Sequence, residues 1–147
     1  MKASELRIRN WVKTLEDGVA HFRQVTGIEI ASENQRIDGF TRPFVRCGHM
    51  AAILNDEDIE YISPIPLTPE ILEKAGFKKI YHEDFSDSFI LNVSTEGVIK
   101  WEDDGSILIN DRLDDGIGYA TNCVCKYVHQ LQNLIHSLTG QELTINL

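Results

Sequence analysis

The chain lacks any long apolar run. Its longest, Met50 to Leu54, falls far short of the roughly 20 residues a helix needs to cross a bilayer, so no membrane span is expected. No apolar h-region follows the opening Met1-Lys2-Ala3-Ser4-Glu5, which leads into charged residues instead, and no secretory signal is expected there. Cysteine is scarce and odd in number. Cys47, Cys123 and Cys125 make no disulfide framework and point to reduced thiols in a cytoplasm. Positive charge is thin as well: 14 Lys and Arg face 23 Asp and Glu, a net charge of −9, and the longest basic run is Lys78-Lys79. Lys and Arg supply most nucleic-acid affinity by neutralising phosphates, so binding to DNA or RNA is disfavoured. A phosphate-cradling glycine loop is missing too. The segment "DGIGYAT" from Asp115 to Thr121 has neither a preceding Rossmann-type strand nor the full glycine pattern. No internal repeat of solenoid period is present.

What is there is an ordinary globular composition. The 147 residues, 42% hydrophobic and 25% charged, suit one domain or two small units sharing a core. Residues 1–67 read as short strands. In "ELRIRNWV", Leu6, Ile8 and Val12 alternate with polar neighbours, the period of a half-buried strand. "EDG" is a hairpin turn signal before "VAHFRQV" and "GIEIAS"; "HMAAIL" and "IEYISPI" flank the turn-like "NDED". Short strands at this spacing predict a small, strongly bent, barrel-like sheet, an architecture that often serves binding.

A boundary is expected at "SPIPLTPEILEKAGF". Pro64 and Pro66 enforce extended backbone. Thr68 is a good N-cap, Pro69 suits the first helical position, and Gly76 offers a left-handed C-cap, so a helix is predicted from Thr68 to Gly76. Residues 68–147 then form an α+β half. "KKIYHE", "SFILNVS", "VIKWED" and "SILIND" predict an antiparallel meander with Phe89, Leu91 and Val93 facing Ile99 and Trp101. Residues 111–122 read as an exposed loop. A second, amphipathic helix is predicted over about Val128 to Thr139, ending at Gly140. At about 100° per residue, Tyr127, Val128, Leu131, Leu134, Ile135 and Leu138 share a core-facing stripe of about 120°. His129 and His136 fall nearly opposite, where solvent is expected. Seven residues separate them by about 10.5 Å along the axis, too far to share one metal ion.

Candidate chemistry is sparse. Cys47, His49, Cys123 and Cys125 space soft ligands in two pairs, each two residues apart, and would make a zinc site if the segments met on neighbouring strands. The usual two to four residues between zinc cysteines are missing, and buried core cysteines are the plainer reading. His82-Glu83-Asp84 needs a turn to converge. No serine or cysteine nucleophile has an evident base. Trp11 and Trp101 read as core or rim residues. Among the acidic clusters, Glu102-Asp103-Asp104 and Asp114-Asp115 mark solvated turns or, alternatively, a docking surface for a basic partner.

The pattern "ELRIRNWV", "PIPLTPEILEKAGF" and "KYVHQLQNLIHSLTGQEL" resembles a group of small proteins of no known activity from Bacteroidetes phages, prophages and mobile elements. The group usually has glycine at the position of Arg9 and a more aromatic helix at Ile135-His136. The resemblance implies a setting and carries over no catalytic residue or cofactor. Together these features lead us to expect an α+β, non-enzymatic interaction or regulatory module that engages a protein partner. The alternatives are a zinc protein or enzyme using the cysteine-histidine set, and an acidic mimic of nucleic acid.

Overall fold

The turn Asp17-Gly18 joins strand β1 (Trp11–Glu16) to strand β2 (Val19–Gln24). Both turn residues have positive φ, 51° and 78°, as a two-residue type I′ hairpin turn requires. In this computed structural model the described residues are 5–30, 43–48, 50–53, 62–81, 87–93, 97–111 and 119–147. They divide into two compact units. Unit 1 comprises Met1–Ile65 with Tyr127–Asn133, and unit 2 comprises Pro66–Lys126 with Leu134–Leu147.

Unit 1 continues with β3 (Gly27–Ile30), β4 (Pro43–Cys47), β5 (Met50–Ile53) and the two-residue β6 (Ile62–Ser63). These strands form two antiparallel three-stranded sheets, ordered β2-β1-β6 and β3-β4-β5. The chain crosses from one sheet to the other at Val25-Thr26, where Thr26 N–H donates to the Arg46 carbonyl at 2.8 Å. Leu6, Val12, Val25, Val45, Cys47 and Ile62 make the buried cluster of this unit. The expectation of a barrel-like N-terminal half is corrected here: the described strands close no barrel. The reason lies at the edges. β6 pairs with β1 through only Lys13 and Thr14, and β2 has β1 as its only neighbour among the described strands.

Unit 2 opens with the helix α1 (Pro69–Lys74). A six-residue helix is too short to persist by propensity, and its ends supply the support. The Thr68 side chain accepts from Ile71 N–H at 3.4 Å. Gly76, at φ 89°, lets Phe77 N–H return to the Leu72 carbonyl at 3.0 Å. Leu72 and Phe77 are buried. The following strands, β7 (Lys78–Ile80), β8 (Ser88–Asn92), β9 (Gly97–Glu102), β10 (Ser106–Asp111) and β11 (Tyr119–Val124), form an antiparallel sheet in reverse sequence order, β11-β10-β9-β8-β7. The register pairs Phe89 with Trp101 and Leu91 with Ile99, as the alternation predicts, and the Phe89 and Trp101 rings meet edge to face at 6.0 Å. The predicted loop over 111–122 is corrected in part: Tyr119 to Asn122 belong to β11. Their polar composition hid a strand whose pairing with β10 is irregular, with a register shift between Ser106 and Leu108.

The C-terminal helix α2 (Val128–Thr139) has the expected bounds, and its buried face matches the expected stripe only in part. Val128, His129, Leu131, Gln132 and Ile135 are buried, whereas Leu138 is 48% exposed. His129 therefore lies inside, not in solvent. Periodicity counts His129 as outward-facing and leaves Gln132 outside the apolar stripe. Here the polar atoms of the first half of α2 dock on the backbone of the Glu5–Trp11 segment, and that docking sets the rotation.

Candidate functional site

A connected polar cluster is built from that segment. Between Leu6 and β1 the chain makes a tight turn in which Asn10 N–H donates to the Arg7 carbonyl at 3.1 Å. The Asn10 side-chain oxygen accepts from Arg7 N–H at 2.6 Å. Arg9 takes φ 75°, in the left-handed region that costs an L residue roughly 1–2 kcal/mol. The turn is kept because Arg9 N–H donates to the Val25 carbonyl at 2.7 Å and Val25 N–H to the Asn10 carbonyl at 2.8 Å. No hydrogen bond of the Arg9 side chain contributes to this arrangement. Arg9→Gly should therefore raise stability by about 0.5–1 kcal/mol, the relief of φ strain less the entropy of glycine. A higher urea midpoint would register it.

Helix α2 clamps this turn through two amides. Gln132, buried, accepts from Trp11 N–H at 2.8 Å, and its Nε2 reaches the Arg9 carbonyl at 3.4 Å. Asn133 Oδ1 accepts from Asn10 Nδ2 at 3.0 Å, with Arg7 Nη1 at 3.5 Å. Asn133 Nδ2 donates to the Glu5 carbonyl at 2.7 Å. Asn133 thus joins the helix to both ends of the turn, and Gln132 joins it to the second half of the turn and the start of β1. Sequence periodicity assigns no role to Gln132, Asn133 or Asn10. The available signal is their density in "LRIRNWV" and "YVHQLQNL".

His129 borders the same cluster and is 1% exposed, stacked on Tyr127 with centroids 5.9 Å apart. Among the described residues neither ring nitrogen has a hydrogen-bond partner, and the Glu5 carboxylate lies 3.9 Å from Nε2. Burial holds the imidazole below its ordinary pKa, against the opposing pull of Glu5. At neutral pH this is an uncharged ring that could accept a proton only at a desolvation cost. The unfolded imidazole protonates near pH ~6.5, and the folded one at lower pH. Between those values the unfolded chain binds more protons. The contribution of His129 is thus fully present above about pH 6.5 and lost as pH falls towards the folded pKa. Urea midpoints should fall between about pH 7.5 and about pH 5.5, and His129→Phe should reduce that fall.

The other candidates are dispersed. Cys47 is buried in β4 of unit 1, while half-buried Cys123 and buried Cys125 belong to unit 2. His49, the His82-Glu83-Asp84 cluster, Asp114 and Asp115 lie outside the described residues. Among the described residues, no three His, Cys, Asp or Glu side chains are placed to hold a metal ion. His136 sits in unit 2, with Nε2 3.9 Å from the Glu142 carboxylate. Glu102 pairs with Lys100 at 2.7 Å, and Asp103 is exposed. Asp104 accepts from Ser106 N–H at 2.8 Å, and hydrogen bonds from Ser106 hold its carboxyl below the usual range. Two of these three acids therefore serve their own strand and turn. No helix among the described residues is long and apolar enough to cross a membrane. A groove of about 220 Å³ in unit 2, lined by Ala75, Leu91, Ile135 and Leu143 among others, is smaller than the ~300–1,000 Å³ usual for small-molecule sites. Compared with protein-family models, with curated proteins and with solved structures, the chain matches none of them.

Proposed function

We propose that this chain is a non-enzymatic interaction or regulatory module of a phage or other mobile element, and that it engages a protein of the host cell. The observation that supports this reading best is the outer face of the β1–β2 hairpin. Cross-strand pairing of Trp11 with Gln24, Lys13 with Phe22 and Leu15 with Ala20 puts these six side chains on one face. Leu15 and Phe22 are 45% and 49% exposed. Such aromatic and aliphatic side chains on a solvent-facing sheet suit a partner's apolar anchor. Along β2, with β1 as its only neighbour among the described strands, outward backbone N–H and carbonyl groups suit addition of an extended partner segment. The hydrogen-bonded amide clamp fixes the start of β1, so the face is presented on a preorganised support.

The test is retention of a host-lysate protein on the immobilised full chain, compared with Phe22→Asp. The substitution should abolish retention, at least tenfold, without lowering the melting temperature, because Phe22 is a surface residue. A partner kept by Phe22→Asp but lost by Asp103→Lys with Asp104→Lys would move the interface to the acidic turn. Retention unaffected by either would reject both surfaces.

A further inference from the structure

We propose that Cys123 and Cys125 form a redox-active dithiol that closes to an intramolecular disulfide when hydrogen peroxide supplies the two-electron oxidation. Cys123 lies in β11 and Cys125 just past its end. On extended backbone, residues i and i+2 point to the same face. Two residues of strand advance about 6.6–6.8 Å, at the long end of the ~4.4–6.8 Å between Cα atoms that a disulfide accepts. This strand is also not regular. Pairing passes from Leu108 opposite Ala120 to Ser106 opposite Val124, so β11 takes up two more residues than β10 over that stretch. Cys123 falls within the irregular stretch, where the bulged strand bends. Cys123 is near enough to Cys125 to raise the pKa of its thiol.

The surroundings divide the roles. Cys125 is 1% exposed, and its backbone is held at both ends: its N–H donates to the Gly105 carbonyl at 2.8 Å, and Trp101 Nε1 donates to its carbonyl at 2.9 Å. Gly105 packs so closely there that an added Cβ would stand 3.3 Å from the Cys125 carbonyl oxygen. Burial and the neighbouring Cys123 push the Cys125 thiol up to about 12, so it rests protonated. Cys123 is half-buried and is the thiol a reagent in solution can meet. Its thiolate attacks one peroxide oxygen, the O–O bond breaks, and hydroxide leaves with a proton as water. Cys125 sulfur then displaces the hydroxyl from the Cys123 sulfenic acid. The S–S bond forms, the S–O bond breaks, and the Cys125 proton departs with the oxygen as a second water. Two thiols and one peroxide become one disulfide and two waters. In the reverse direction a reductant meets Cys123 and must expel Cys125, whose high pKa makes it a slow leaving group.

The experiment treats the reduced full chain with a small excess of hydrogen peroxide, then denatures it in N-ethylmaleimide and maps the products by mass. The untreated chain should take label at all three cysteines. The treated chain should take it at Cys47 alone, with two hydrogens lost from the peptide holding Cys123 and Cys125, and a dithiol reductant should restore full labelling. The Cys47→Ser variant should form the same bond. In Cys125→Ser, Cys123 should stop at a sulfenic acid that dimedone traps. Full labelling after peroxide, over-oxidation of Cys123 in the intact chain, or a bond involving Cys47 would overturn the proposal, and none of these outcomes bears on the hairpin face.

Discussion

Gln132→Ala should lower the unfolding free energy by about 1–3 kcal/mol, because it strips the buried Gln132 side chain from a part-buried backbone donor. Trp11 N–H loses its 2.8 Å bond, and the Arg9 carbonyl loses its longer 3.4 Å contact. An unsatisfied buried donor costs roughly 1–3 kcal/mol, and the carbonyl adds less because its bond is weak. The variant also leaves a small void where the buried Gln132 side chain stood. Urea unfolding followed by circular dichroism measures the loss. Gln132→Glu should be nearly as harmful, since it keeps the acceptor for Trp11 N–H but buries a charge and discards the donor for the Arg9 carbonyl. A loss below about 0.5 kcal/mol for Gln132→Ala, the level of an exposed substitution, would mean that water reaches the clamp.

Two leucines on the same helix should differ more sharply than their spacing suggests. Leu131 is fully buried and Leu138 is 48% exposed. Leu131→Ala should cost about 2–5 kcal/mol, the transfer energy of the lost side chain plus its residual cavity. Leu138→Ala should cost less than about 1 kcal/mol, because most of its apolar surface already meets water and alanine suits a helix better than leucine. Thermal or urea unfolding of the two variants side by side tests the ordering. Equal costs would show that the face of α2 follows its apolar stripe after all.

The contrast explains how far the sequence could be read. Thr68, Pro69, Gly76 and Phe77 announce both ends of α1, because capping acts through bonds between residues a few positions apart. The Asp17-Gly18 turn and the pairing of Phe89 with Trp101 are legible for the same reason: turn chemistry and strand alternation are local. The bounds of α2 are also local. The candidate site was not. His129 reads as solvated and Gln132 and Asn133 carry no signal, because side-chain polarity speaks only of water and says nothing of backbone groups brought from more than 120 residues away.

By itself, then, the sequence determined an α+β chain of short antiparallel strands with two capped helices, since period, turns and caps are written within a few residues of where they act. Only the tertiary structure decided that the N-terminal strands split between two sheets, that Arg9 adopts a left-handed turn, that His129 is interior and Leu138 is not, and that β11 is irregular beside the two thiols. Those outcomes depend on which buried donors and acceptors meet across long sequence separations, and a hydrogen bond left unmade in the interior outweighs the preference of a single side chain for water.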